Sequence, residues 1–122
     1  MRNLRNSIQK CVASFGYAIN GITYLLKNEN NIRYQLIAGI IVIGLGLYLE
    51  ATQSEWITLI CMIGLVLMAE AFNTAIEKLC DFVQPDHHAQ IGIVKDLAAG
   101  AVLLISVTAA IVGVIILGNK LW

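Results

Sequence analysis

The sequence predicts an all-α membrane protein, a single domain in which an N-terminal amphipathic surface helix precedes three transmembrane helices. Three observations carry this. Of the 122 residues, 58% are hydrophobic and only 13% charged, where an average soluble domain has about a quarter charged. A chain this short also has too much surface for its volume to hide that much apolar side chain from water. Finally, the apolar residues are gathered into three long runs rather than spread along the chain.

Taken in order, residues 1–28 form the interfacial segment. Leu4, Ile8, Cys11, Phe15, Ile19, Ile22 and Leu26 recur at steps of three and four, with Arg2, Arg5, Gln9, Lys10, Asn20 and Lys27 largely between them. Charge interrupts this pattern too often for a span or a signal peptide, and suits a helix lying on headgroups. The second element, 30–49, holds the apolar run 34–49, with Gln35 as its one strongly polar residue. That run reaches about 24 Å at 1.5 Å per residue, so the helix must take in residues 30–33 to cross a core of about 30 Å. The third, 55–82, is apolar from Trp56 to Ala69 and then meets Glu70. Its apolar part alone is too short to span, so the helix carries Glu70 into the membrane, and Pro85 ends the pattern. The fourth, 92–118, contains the uncharged run 97–118 and spans unaided.

Orientation follows from the basic residues. Arg2, Arg5, Lys10, Lys27, Arg33, Lys78 and Lys95 fall on one side and Lys120 alone on the other, which predicts a cytoplasmic N-terminus and a cytoplasmic loop 83–94. Eight basic residues balance eight acidic ones, which argues against a nucleic-acid partner. Cys11, Cys61 and Cys80 are odd in number and widely spaced, so they read as packing residues rather than as disulfides or metal ligands.

The chemistry concentrates in Glu70-Ala-Phe-Asn73-Thr74-Ala-Ile-Glu77-Lys-Leu-Cys-Asp81. At about 100° per residue, Glu70, Asn73, Thr74, Glu77 and Asp81 share one stripe roughly 100° wide. Carboxylates at membrane depth are expensive unless paired, protonated, hydrated or bound to metal, so they mark a functional site. The structural alternatives are a solvated helix end for Glu77 and Asp81, and helix–helix hydrogen bonding for Glu70 and Asn73. Glu29 and Lys95-Asp96 lie at the same membrane level. Glu29 and Glu77 supply the hard oxygens that magnesium shares with phosphates and water, and Lys95 could meet those phosphates; an interfacial ion-pair network is the competing reading. No Walker loop is present, since Gly16 and Gly21 are followed by Ile22-Thr23. Gly39, Gly44, Gly46, Gly64, Gly100, Gly113 and their alanine neighbours read as close helix packing. Three spans cannot enclose such a site, so several copies are expected to build it.

These residues resemble the small integral-membrane prokaryotic diacylglycerol kinases, a family that includes the undecaprenol kinases. The matching elements are Glu29-Asn-Asn-Ile-Arg33, Glu70-Ala-Phe-Asn73-Thr74-Ala-Ile-Glu77 with Asp81, and Lys95-Asp96 followed by small residues to Ala101. The resemblance covers essentially the whole chain. It implies a homotrimer in a bacterial cytoplasmic membrane, with the N-terminus and active site cytoplasmic, transferring the γ-phosphate of magnesium-ATP to a lipid alcohol. That acceptor would be diacylglycerol, giving phosphatidic acid, or undecaprenol, giving undecaprenyl phosphate. By position, Glu70 would be the general base, Glu29 and Glu77 the Mg2+ ligands on the nucleotide side, and Asn73 and Asp81 supporting residues. Lys10, Tyr17, His88, Gly92, Lys95 and Asp96 would also lie at the nucleotide. The loop His87-His88-Ala-Gln-Ile-Gly-Ile-Val departs from the commonest family form. A small proton-coupled transporter is the alternative from another class, but it needs an acid near the midplane and gives no role to Glu29 or Lys95-Asp96. A non-catalytic assembly subunit explains the small residues but not the acidic stripe.

Overall fold

The computed structural model describes residues 1–122 and is entirely helical outside its short connections. It divides into residues 1–30 and residues 31–122, each coherent by itself.

The first unit is one helix, α1 (Arg2–Asn28), with no buried residue. It ends where Glu29 turns extended, at φ −113° and ψ 121°, while the Glu29 N–H still donates to the Leu25 carbonyl.

In the rest of the chain α2 (Asn30–Tyr48), α3 (Gln53–Val83) and α4 (Ala89–Leu121) are each long and apolar enough to cross a membrane. α2 stops one residue short of the expected 49 because Glu50 takes a left-handed conformation, φ 56°. The Ala51 N–H then donates to the Gly46 carbonyl and the Glu50 N–H to that of Leu47, which closes the end in a Schellman motif without its usual glycine. α3 starts at 53 rather than 55 because a capping box lies there: Thr52 Oγ1 accepts from the Glu55 N–H, and Glu55 Oε1 accepts from the Thr52 N–H. α4 starts at 89 rather than 92 because the His88 ring caps it, Nδ1 accepting from the Gln90 N–H.

The helices run alternately up and down. Lys120, at the end of α4, pairs with Glu55 at the start of α3, and Lys95, early in α4, pairs with Asp81 near the end of α3. Between α2 and α3 the contacts are Gln35 with Glu70, Gly39 with Ile63 and Gly46 with Trp56. By this register α2 begins about level with Asn73, so the last three turns of α3 reach past it.

The buried residues of α2 are Ile32, Gly39 and Gly46, one every seventh position, which is the repeat of a helix seam. Only two glycines are in close packing. A Cβ on Gly46 would stand 2.8 Å from the Trp56 ring and one on Gly39 would stand 3.3 Å from Ile63, whereas Gly44, Gly64, Gly100 and Gly113 have nothing within 4 Å. Within one chain, therefore, Gly39 and Gly46 are the glycines at which helices meet closely. Among the cysteines only Cys80 is buried; Cys11 and Cys61 are exposed. An apolar cleft of about 240 Å³ opens between α2, α3 and α4, bordered by Gln35, Val42, Ile63, Ala109 and Gly113 among others.

Candidate active site

The acidic stripe of α3 is graded by burial. Glu70 is 2% exposed, Thr74 4% and Asn73 8%; Glu77 is half-buried and Asp81 exposed. A helix that ran apolar throughout would bury this face at no electrostatic cost. Placing a carboxylate, an amide and a hydroxyl there instead requires partners for each.

Some partners are present. Gln35 Nε2 of α2 donates to Glu70 Oε2 at 3.3 Å, and Asn73 Nδ2 donates to Glu77 Oε1, one turn on, at 3.3 Å. Gln35 Oε1, Asn73 Oδ1 and Thr74 Oγ1 are buried with no partner. Three unsatisfied polar atoms around one carboxylate mark a place where a further polar group would be bound with little rearrangement.

Past the start of α2 the surroundings become more open. Lys95 Nζ pairs with Asp81 Oδ1 at 2.5 Å, the side chains 37% and 61% exposed. Lys95 is thus tethered through Asp81, with part of its side chain open. Asp96 is exposed, Gly92 lies half-exposed in the first turn of α4, and His88 caps that helix. Nδ1 of His88 accepts the Gln90 N–H, so any nucleotide contact from this ring falls to Nε2. Lys10 and Tyr17 are exposed along α1, and Glu29 lies half-buried at its end.

Gln35 is the residue that the sequence reading did not place in the site. The available signal was its isolation as a strong polar side chain in an apolar run, three residues after Ile32 in the repeat that also contains Gly39 and Gly46. No group of three or more His, Cys, Asp or Glu side chains gathers to hold a metal. Magnesium does not require one, since it takes one or two carboxylates together with phosphate oxygens and water. The unpartnered Asn73 Oδ1, on the side chain that contacts Glu77, fits such hard-oxygen chemistry.

Comparison with known proteins gives consistent results. The sequence model of the family described as prokaryotic diacylglycerol kinase matches residues 16–117. An undecaprenol kinase of Bacillus subtilis (strain 168) is 33% identical over 117 residues, covering 96% of this chain and 95% of its own length. A diacylglycerol kinase of Escherichia coli (strain K12) is 26% identical over 117 residues, covering 96% of each. A diacylglycerol kinase of Synechocystis is 38% identical over 105 residues, which are 84% of this chain and 59% of that protein.

Proposed function

The chain belongs to the prokaryotic diacylglycerol kinase family and is a lipid kinase; we propose that it transfers the γ-phosphate of magnesium-ATP to the hydroxyl of a membrane lipid alcohol at the cytoplasmic face. The observation that carries this reading is Glu70, a carboxylate 2% exposed on a helix long and apolar enough to span. Phosphoryl transfer asks a protein mainly for position, charge neutralisation and a group to receive the acceptor's proton. Glu70 is the group placed to take that proton, because a lipid keeps its tail among the helices while its hydroxyl approaches the interface. Glu77 stands about 10 Å further along α3 at 1.5 Å per residue, on the phosphate side. Lys95, held by Asp81, is the cation proposed to meet the transferred charge, and Asn73 holds the Glu77 carboxylate.

Glu29 and Glu77 are the proposed magnesium ligands, on the strength of their matching family positions and their hard-oxygen chemistry. Bound there, the ion would neutralise phosphate charge. Lys10, Tyr17, His88, Gly92 and Asp96 complete the proposed nucleotide side. α1 lies at the membrane surface in this reading, and a homotrimer supplies the parts of the site that one chain lacks.

Undecaprenol is the proposed first acceptor. Among these relatives the Synechocystis diacylglycerol kinase has the higher identity, 38%, but aligns over only 59% of its own length; of the two that align over nearly their whole length, the undecaprenol kinase of Bacillus subtilis is more similar to this chain than the diacylglycerol kinase of Escherichia coli, at 33% against 26% identity. The test is transfer of labelled phosphate from magnesium-ATP in lipid-containing micelles, with undecaprenol and diacylglycerol supplied in parallel. Glu70→Gln should lower turnover at least about 100-fold while the oligomer survives. Turnover at the parent rate in that variant would remove Glu70 as the base, and a preference for diacylglycerol would reassign the acceptor.

A further inference from the structure

We infer that Gln35 is a positioning residue for Glu70: its side-chain amide, reaching across from α2, fixes one carboxylate oxygen and leaves the other directed to the acceptor hydroxyl. This rests on the reading of Glu70 as the base.

Gln35 Nε2 lies 3.3 Å from Glu70 Oε2, and the chemistry settles the amide's orientation. Turned over, the amide would set its oxygen against a carboxylate oxygen, two acceptors facing each other. In the orientation present, Gln35 Oε1 is buried and has no partner. A side chain kept only for packing would not leave an acceptor stranded, because an apolar residue of the same volume closes the helix contact without that loss. The amide is therefore explained by Glu70 and not by the seam.

The backbone supports the same conclusion. One turn beyond Gln35, Gly39 lets α2 approach so closely that an added Cβ would come within 3.3 Å of Ile63; two turns further, Gly46 is against Trp56. These approaches hold α2 at the separation at which a glutamine reaches Glu70. Gln35 also borders the apolar cleft between α2, α3 and α4. A base free to swing would spend much of its time misaligned, and misplacement on the order of 1 Å costs about 100-fold in rate.

The experiment compares the full-length protein with Gln35→Met, which keeps the volume and removes the amide. Turnover per correctly assembled enzyme should fall about 10- to 100-fold, with KM for ATP and for the lipid acceptor within about two-fold of the parent. The thermal midpoint should not fall. In the infrared, the Glu70 carboxyl band, identified by subtracting the Glu70→Gln spectrum, should shift in Gln35→Met. In the Glu70→Gln background the same change should have no further kinetic effect. If Gln35→Met fails to assemble, Gln35→Asn is read by the same measures, since it keeps an amide one methylene too short to reach. Parent-like turnover with an unshifted band overturns the inference. If Glu70→Gln itself stays active, the base reading fails, while the infrared shift still decides whether Gln35 holds the carboxylate.

Discussion

At the scale of single residues, the site is a gradient of solvation along one helix face. Glu70 and Asn73 are in the interior, Glu77 is at the margin and Asp81 is in the open. The ordering matters because the reacting partners differ in the same sense, one dissolved in lipid and the other in water. Asp81 has the least direct part, since it acts through Lys95. Asp81→Asn should raise KM for ATP about two- to five-fold and leave kcat near the parent value, as expected for losing one exposed ion pair. Steady-state kinetics at varied ATP distinguish this from a change in the lipid step. The acidic stripe was fully legible in the sequence, because helical periodicity alone aligns 70, 73, 74, 77 and 81. Gln35 was not. Its role is defined by a residue 35 positions away, and nothing in its own neighbourhood announces that partner.

At the scale of elements, the three long helices follow from apolar run length, and their ends follow from local chemistry. The two added residues at the start of α3 come from Thr52 and Glu55, and the earlier start of α4 comes from His88. Run length cannot see either, because caps are polar residues outside the runs. Thr52→Ala should destabilise the folded protein by about 1 kcal/mol, read as a lowered midpoint of unfolding in detergent. Glu50 presents the opposite case. It sits at φ 56°, where an L side chain is strained, so Glu50→Gly should raise the midpoint, by roughly 0.5–1 kcal/mol of stability. Glycines show how far sequence can go. All of those in apolar runs look alike on paper, yet within one chain only Gly39 and Gly46 closely meet another helix, and on α2 the difference from Gly44 lies in their heptad phase with Ile32. Gly39→Val should therefore widen the α2–α3 approach and lower turnover in the same manner as removing the Gln35 amide.

At the scale of the whole molecule, one chain leaves most of its large apolar side chains uncovered, among them Ile40, Leu47, Phe72, Leu104 and Val114, each more than 60% exposed. Lipid and neighbouring copies are the surroundings that make this surface favourable. If sites are shared between copies, mixing inactive Glu29→Gln and Glu70→Gln subunits should restore part of the activity, whereas a site made within one chain would stay dead in the mixture. Lys120 has a different bearing on the whole. As the last basic residue of the chain, it lies at the opposite end of α4 from Lys95, and it is held by the Glu55 carboxylate and the Glu50 carbonyl. Both of those groups come earlier in the chain, Glu50 by 70 residues. The counter-charge therefore precedes the final helix in the order of the chain. Lys120 can therefore close this contact only once the last helix lies along α3 for its full length, so the pairing made last in chain order is the one that fixes the register of the three-helix unit.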